Sequence, residues 1–300
     1  MEKPPVTNSM RAWVLAARPK TLSGAAAPVL MGAAAAWHDT GGFAGEEFSF
    51  TVFLLCMAFA FLMQIDANLI NDYFDFRNGN DSEGRLGPER ACTEGWITPD
   101  AMKRGIAVVS VAACLTGLPL AFVGGWGMVA VGAACVLFCF LYTTFFSYRG
   151  MGDILVLVFF GLVPVSFTYF LLTGEYSSRV FIASLACGIA TDCLLLVNNY
   201  RDMDQDRANG KITLAVHLDR KGTIVLYIMF GILAGLLAAI SVAAAMTPWH
   251  AFPFAVYILL HISTSLKLCH TVGRALNALL GETSRNILIL SLLFVAASLF

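Results

Sequence analysis

Two stretches carry hard oxygen donors at helical spacing. The first is Asn68-Leu-Ile-Asn71-Asp72-Tyr-Phe-Asp75-Phe-Arg77-Asn-Gly-Asn-Asp81, and the second is Asn198-Asn199-Tyr200-Arg201-Asp202-Met-Asp204-Gln-Asp206-Arg207. Gln64, Asn68, Asp72 and Asp75 fall on one helical stripe; Asp202 and Asp206 are four apart, with Asn199 three before Asp202. Each stripe can aim several oxygens at one spot. Donors of this kind suit Mg2+, which proteins hold by one or two carboxylates together with substrate phosphates. Arg77, Arg85, Arg90, Arg201, Arg207 and Lys211 surround the clusters and suit an anion between them. Carboxylates, a divalent cation and basic residues together describe a diphosphate site. The bland alternative, a solvated helix end where Asp and Arg merely pair, is credible for either cluster alone and weak for the two together. Asp204 points off its stripe, into solvent. Asp66 and Asp192 lie deeper. Asp192 shares a face with Asn199 and Asp206, and reads either as a contact to a second substrate or as a hydrogen-bonding residue within the helices. Asp66 lies off its stripe and has no assigned role.

The elements that position these residues are long apolar helices. Hydrophobic residues make up 58% of the 300 residues and charged residues 13%, against roughly 25% charged in a soluble domain. Mean hydropathy is +0.74. Nine spans are expected: Thr21 to Trp37, Phe50 to Tyr73, Arg104 to Val123, Trp126 to Phe146, Ile154 to Leu172, Val180 to Tyr200, Thr223 to Ala245, Ala251 to His270 and Ile287 to Phe300. The last is short as counted, which leaves a truncated chain or a helix that starts before Ile287. The first is rich in Ala and Gly, suited to close helix contact. Residues 1–300 form a single all-α integral membrane domain.

Orientation follows from the basic residues. Of the 19 Lys and Arg, all but Arg179 fall on the N-terminal side of the alternation, which places the N-terminus and both Asp-rich ends in the cytoplasm and the C-terminus outside. The two ends, each closing an even-numbered span, suggest a pseudo-repeat facing a central cavity. The protein is expected in the cell (inner or cytoplasmic) membrane. A net charge of −1 gives no reason to expect a nucleic-acid partner. The eight Cys are dispersed without a CxxC pair, and the five His show no ligand spacing, so zinc and haem are not expected.

At these residues the sequence resembles the UbiA-type intramembrane prenyltransferase superfamily, marked by an N-D-x-x-D-type first motif and a D-x-x-x-D second motif. Within it the likeness is closest to the menaquinone branch, the 1,4-dihydroxy-2-naphthoate polyprenyltransferases. Ala17-Arg18-Pro19-Lys20-Thr21-Leu22 resembles that branch's N-terminal signature. Gly79-Asn-Asp81, Arg85-Leu-Gly87-Pro88-Glu-Arg90 and Gly95-Trp-Ile97-Thr98 resemble its first loop. Tyr148-Arg-Gly150-Met-Gly152-Asp153 resembles the loop after its fourth span, and Asn199-Tyr-Arg201-Asp202 with Gly210-Lys211-Ile-Thr213-Leu214-Ala215-Val216 its second acidic loop. Asp66, and His217-Leu218-Asp219 where Arg-Leu-Gly is more usual, depart from the pattern.

The resemblance implies transfer of a polyprenyl group from polyprenyl diphosphate to 1,4-dihydroxy-2-naphthoate or a related aromatic acceptor such as 4-hydroxybenzoate. In that branch CO2 is lost. It also implies roles. Asp72, Asp75 and Asp81 would hold one Mg2+, and Asp202 and Asp206 another. Asn68, Asn71, Arg77, Arg85, Arg90 and Lys211 would grip the diphosphate, beside Asn199, Arg201 and Tyr148. Tyr142, Tyr148 or Tyr200 would face the allylic cation, and Arg18 and Lys20 the acceptor's carboxylate. The tail would lie between helices, open to membrane lipid. Two rivals are weighed. A secondary transporter would place its acids nearer the bilayer midplane. A CDP-alcohol phosphotransferase would need a D-G-x-x-A-R signature, which the chain lacks.

Overall fold

The computed structural model describes residues 4–42, 48–79 and 86–299, and among them every regular element is helical. A short helix α1, Met10–Ala17, lies ahead of the bundle and is capped by Ser9, whose Oγ accepts from Ala12 N at 3.3 Å. Arg18 then takes a left-handed conformation and Pro19 opens a tight turn, so the chain bends into α2, Leu22–Asp39. There follow α3, Phe50–Arg77; α4, Pro99–Gly124; and α5, Gly127–Leu141. α5 runs into a π-helical turn, Tyr142–Phe146, and a 3-10 turn, Ser147–Arg149. α6, Gly152–Leu157, passes through a second π-turn, Val158–Leu162, into α7, Val163–Thr173. The bundle ends with α8, Ser178–Ala208; α9, Leu214–Ala243; α10, Phe254–Leu268; and α11, Leu276–Leu299.

Eight helical stretches among the described residues are long and apolar enough to cross a membrane. They correspond to the second through ninth expected spans. The expected first span is present as α2 and is not one of the eight. Its Ala- and Gly-rich sequence, ending in Trp37-His38-Asp39, is built for contact with protein rather than lipid. A Cβ on Gly32 would sit 2.4 Å from the Val165 carbonyl, so α2 and α7 touch almost backbone to backbone. The last helix starts at Leu276, eleven residues before the expected Ile287, and so has length to cross. The helices run on into the acidic stretches: α3 continues to Arg77 and α8 to Ala208, past the expected ends at Tyr73 and Tyr200.

The exception to the charge asymmetry has a local cause. Arg179, at the start of α8, pairs with Asp39 at the end of α2, and Tyr169 Oη donates to the same carboxylate at 2.6 Å. The lone basic residue at that end of the bundle is thus neutralised within the protein. Asp66 also finds a partner, since Ser110 Oγ on α4 donates to its Oδ2 at 2.6 Å. Asp219 sits at φ 62 inside α9, a conformation suited to Gly. Its Oδ1 accepts from Lys221 N at 2.8 Å and Gly222 N at 3.2 Å, which caps the helix that continues. That geometry accounts for the usual Gly of the motif and for how Asp is tolerated there.

α8 is held against the π-turn by facing glycines. A Cβ on Gly188 would meet the Leu157 carbonyl at 2.7 Å, whereas one on Gly132 in α5 would meet nothing within 4 Å. We expect Gly188→Ala to cost about 1–3 kcal/mol, the usual penalty of overpacking, and Gly132→Ala to cost almost nothing. Thermal melting of the two variants in one detergent tests the contrast.

Candidate functional site

Asp206, near the end of α8, lies within electrostatic reach of Asp202 on its own helix and of Asp75 near the end of α3. Asp204 points away and pairs with Arg220 at the surface, 2.7 Å apart.

Each central carboxylate is matched with a cation. Arg90 pairs with Asp75. Arg201, 3% exposed, holds Asp202 with both Nε (2.7 Å) and Nη2 (2.6 Å). Lys211 Nζ stands 3.5 Å from Asp206 Oδ1. Three acids and three bases are thus balanced, with the cations occupying the positions a metal–diphosphate group would contest. A small cavity lies beside α8. Its walls include Tyr142, Asp153, Asn199, Lys211 and Thr213. A larger apolar groove lies elsewhere, between α1, α3 and α4, lined by Trp13, Ile65, Leu69 and Val108.

Other predicted residues shape the site rather than line it. Asp72 is 1% exposed and accepts from the backbone N–H groups of Ala91 (2.8 Å) and Cys92 (2.9 Å). It ties the loop to α3 and so delivers Arg90 to Asp75. The Asn68 amide donates to the Ala17 carbonyl (3.0 Å) and Thr21 Oγ1 (2.9 Å), which pins the bend at Arg18 against α3. Asn71 accepts from Thr143 in the π-turn. Asn78 Nδ2 donates to Tyr148 Oη at 3.4 Å, and Ile212 N to the Tyr148 carbonyl at 3.2 Å. The segment after α5 therefore joins the two acidic loops. Arg77 and Lys20 are exposed, and Arg18 is half-buried at the bend. Tyr200 carries Arg220 over its ring at 5.2 Å, so of the three tyrosines weighed for a cation it is Tyr142 that lines the cavity. Asp81 and Arg85 lie outside the described residues.

Asn277 at the start of α11 was not anticipated. Its Oδ1 accepts from Arg201 Nη1 at 2.8 Å and its Nδ2 donates to the Leu86 carbonyl at 2.8 Å. One amide thereby links the second cluster to the first loop. No local sequence signal marks it, because it follows a basic turn and opens an apolar helix.

Among the described residues no three acidic, His or Cys side chains gather as a ready-made metal cage. The donors nonetheless fit Mg2+ shared with phosphates. They are carboxylate oxygens, and Asp206 Oδ2 is buried without a hydrogen-bond partner, a costly arrangement unless a ligand completes it.

A model of the UbiA prenyltransferase family matches residues 25–279. A 1,4-dihydroxy-2-naphthoate octaprenyltransferase of Haemophilus influenzae is 32% identical over 96% of both chains. One from Escherichia coli is 37% identical over 69% of this chain and 68% of its own. Among solved structures, a UbiA homolog from Aeropyrum pernix K1 superposes with a TM-score of 0.68 at 14% identity, covering 93% of this chain and 97% of that one. A UbiA homolog from Archaeoglobus fulgidus bound to DMAPP and Mg2+ gives 0.64 at 11%, covering 95% and 99%.

Proposed function

The chain belongs to the UbiA prenyltransferase family, and from that premise we propose that it transfers a polyprenyl group from polyprenyl diphosphate to 1,4-dihydroxy-2-naphthoate, releasing diphosphate and CO2 in menaquinone biosynthesis. The observation that carries the reading is that Asp206 lies within electrostatic reach of both Asp202 and Asp75, with each of the three beside its own cation. The naphthoate acceptor is supported by the names of the Haemophilus and Escherichia relatives. Mg2+ is supported by the Archaeoglobus homolog's ligands and by the orphaned oxygen of Asp206.

In this reading Asp75, Asp202 and Asp206 hold the metal, and Asp81 is assigned to the same set from the sequence alone. Mg2+ supplies charge neutralisation for the departing diphosphate. The ion pairs then exchange partners, and Arg90, Arg201 and Lys211 turn to phosphate oxygens as their carboxylates are taken up. These preset cations stabilise negative charge as it develops on the leaving group. Asp72 and Asn68 act by holding the loop and the N-terminal bend in place. The Tyr142 ring faces the allylic carbon from the cavity wall. The isoprenoid tail lies between helices and open to lipid, and the apolar groove beside Trp13 is in keeping with such a path. Residues 1–300 work as one domain of nine membrane-crossing helices, α2 included, with the N-terminus and the site on the cytoplasmic face and the C-terminus outside.

The test is a mass-spectrometric assay of purified protein in lipid. Polyprenyl diphosphate is supplied with 1,4-dihydroxy-2-naphthoate or 4-hydroxybenzoate, with and without Mg2+. A Mg2+-dependent prenyl-naphthoquinol lacking the carboxylate is expected. Product only with 4-hydroxybenzoate would keep the chemistry and move the acceptor. No diphosphate release with any aromatic acceptor would overturn the reading.

A further inference from the structure

Two carboxyl groups near the site are not used by diphosphate chemistry. Asp153 stands in the first turn of α6. Asp192 lies midway along α8 and is 3% exposed. Their side chains are in hydrogen-bonding contact. Each keeps one oxygen, Oδ1, buried and without a hydrogen-bond partner. Neither forms an ion pair among the described residues; Lys211, on the same cavity wall as Asp153, pairs with Asp206. A buried carboxyl placed only for packing would have its oxygens satisfied. Two acids in such contact, away from water, share a single proton, since both cannot be charged there. The pair is therefore one carboxylate and one acid held together.

The placement makes the pair chemically useful. Asp153 lines the same small cavity as Tyr142, Asn199 and Lys211. Lys211 is also the side chain that reaches Asp206, so the proton pair and the diphosphate end share a wall. The Tyr142 ring lies within electrostatic reach of Asp75, Asp153, Asp192 and Asp206 alike. Tyr142 is thus the aromatic side chain within reach of both the two carboxyl groups and the acidic helix ends.

We propose that Asp153, positioned by Asp192, takes and returns the proton of the acceptor's ring hydroxyl. This rests on the aromatic-acceptor reading above. As the allylic C–O bond opens, its electron pair leaves with the diphosphate. The Asp153 carboxylate accepts the hydroxyl proton, and the O–H pair moves into the ring. The ring carbon that bears the carboxylate forms the new C–C bond to the allylic carbon. Loss of CO2 returns its bonding pair to the ring and restores aromaticity, and the oxygen recovers its proton from Asp153. Protons and electrons balance with no further reagent. Asp192 does not touch the acceptor. It acts through its contact with Asp153, holding that carboxyl in place at the cavity wall. The groups near the pair that bear on its pH response are Tyr142, Cys193 beside Asp192, and Lys211 on the cavity wall of Asp153, with Asp75 and Asp206 within electrostatic reach of Tyr142.

The experiment compares the full-length wild type with Asp153→Asn, Asp153→Glu and Asp192→Asn in lipid. It measures kcat, KM for the diphosphate, and the pH–rate profile. Asp153→Asn is expected to lose on the order of 10²–10⁴-fold in kcat, the contribution of a positioned base. Its KM for the diphosphate stays within about twofold, and the acidic limb of its profile disappears. Asp153→Glu recovers part of the rate. On an acceptor whose hydroxyl is methylated, wild type and Asp153→Asn turn over alike. A kcat for folded Asp153→Asn within about threefold of wild type overturns the proposal. So does a wild type that uses the methyl ether as well as the free hydroxyl. If Asp153→Asn does not fold, an unchanged kcat and profile in Asp192→Asn overturns it instead. A wild type inactive with every aromatic acceptor fails the functional reading itself, which separates the two.

Discussion

Asp206→Asn lowers turnover by on the order of 10²–10³-fold while leaving the protein folded, the loss expected when one preset electrostatic contact to the reacting group is removed. Asp206 is where the three elements of the site converge. Its Oδ1 stands 3.5 Å from Lys211, its Oδ2 is buried and unpartnered, and Asp75 reaches it from the opposite helix. The amide keeps the shape and removes the charge. With no hydrogen bond to break at Oδ2, the fold loses little. Asp204→Asn is the control, because Asp204 is exposed and pairs only with Arg220, and a surface pair of this kind is worth about 0–1 kcal/mol. Product formation over a Mg2+ titration, with melting curves for both variants, checks the result. An Asp206→Asn enzyme within about tenfold of wild type at saturating Mg2+ would remove this carboxylate from the metal-holding set.

Arg201→Ala is expected to damage stability and activity together. The Arg201 guanidinium fork serves both oxygens of Asp202, and its remaining N–H groups reach Asn198 (2.8 Å) and Asn277 (2.8 Å). Its side chain is 1% exposed and that of Asp202 is 17% exposed. Truncation strands a largely buried carboxylate, which costs roughly 3–5 kcal/mol in such settings. It also cuts the link through Asn277 to the first loop. Arg201→Lys keeps the charge and loses the two-pronged geometry, so it should fall between. Asp202→Asn leaves an oxygen for Arg201 and should melt closer to wild type while losing activity. Melting in detergent and turnover in lipid separate these effects. A wild-type melting point for Arg201→Ala would mean that these four contacts do not hold the helix ends together.

Part of this arrangement was legible in the sequence because it is written at helical spacing. Asp204 turns out to solvent, off the stripe of Asp202 and Asp206, as local periodicity required, whereas the approach of Asp75 and the return of Lys211 to Asp206 depend on helix packing and on a loop. Two kinds of residue misled. Asp72 and Asn68 lie on the predicted stripe, but their polar atoms are spent on backbone groups 19 and 51 residues away. The return path of a loop is not encoded in period. Asn277 and the Asp153–Asp192 contact were invisible for the same reason, since each needs helices distant in the chain. Arg90 reached Asp75 only because Asp72 fixes the intervening loop. The first helix was expected as a span whose small residues suit close helix contact, and Gly32 does approach the Val165 carbonyl of α7, although α2 is not among the eight stretches long and apolar enough to cross. Apolarity and burial in protein are different demands, and Ala and Gly satisfy the second better than the first.

The position of Asn277 has a consequence for how the protein is made. A chain synthesised from its N-terminus carries both acidic helix ends long before this residue leaves the ribosome. Until α11 is inserted, the Leu86 carbonyl and one arm of Arg201 lack the amide that joins them. The clasp between the second acidic helix end and the first loop therefore closes only after α11 is made, later than either helix end. A nascent chain that has not reached α11 holds its carboxylates without that clasp.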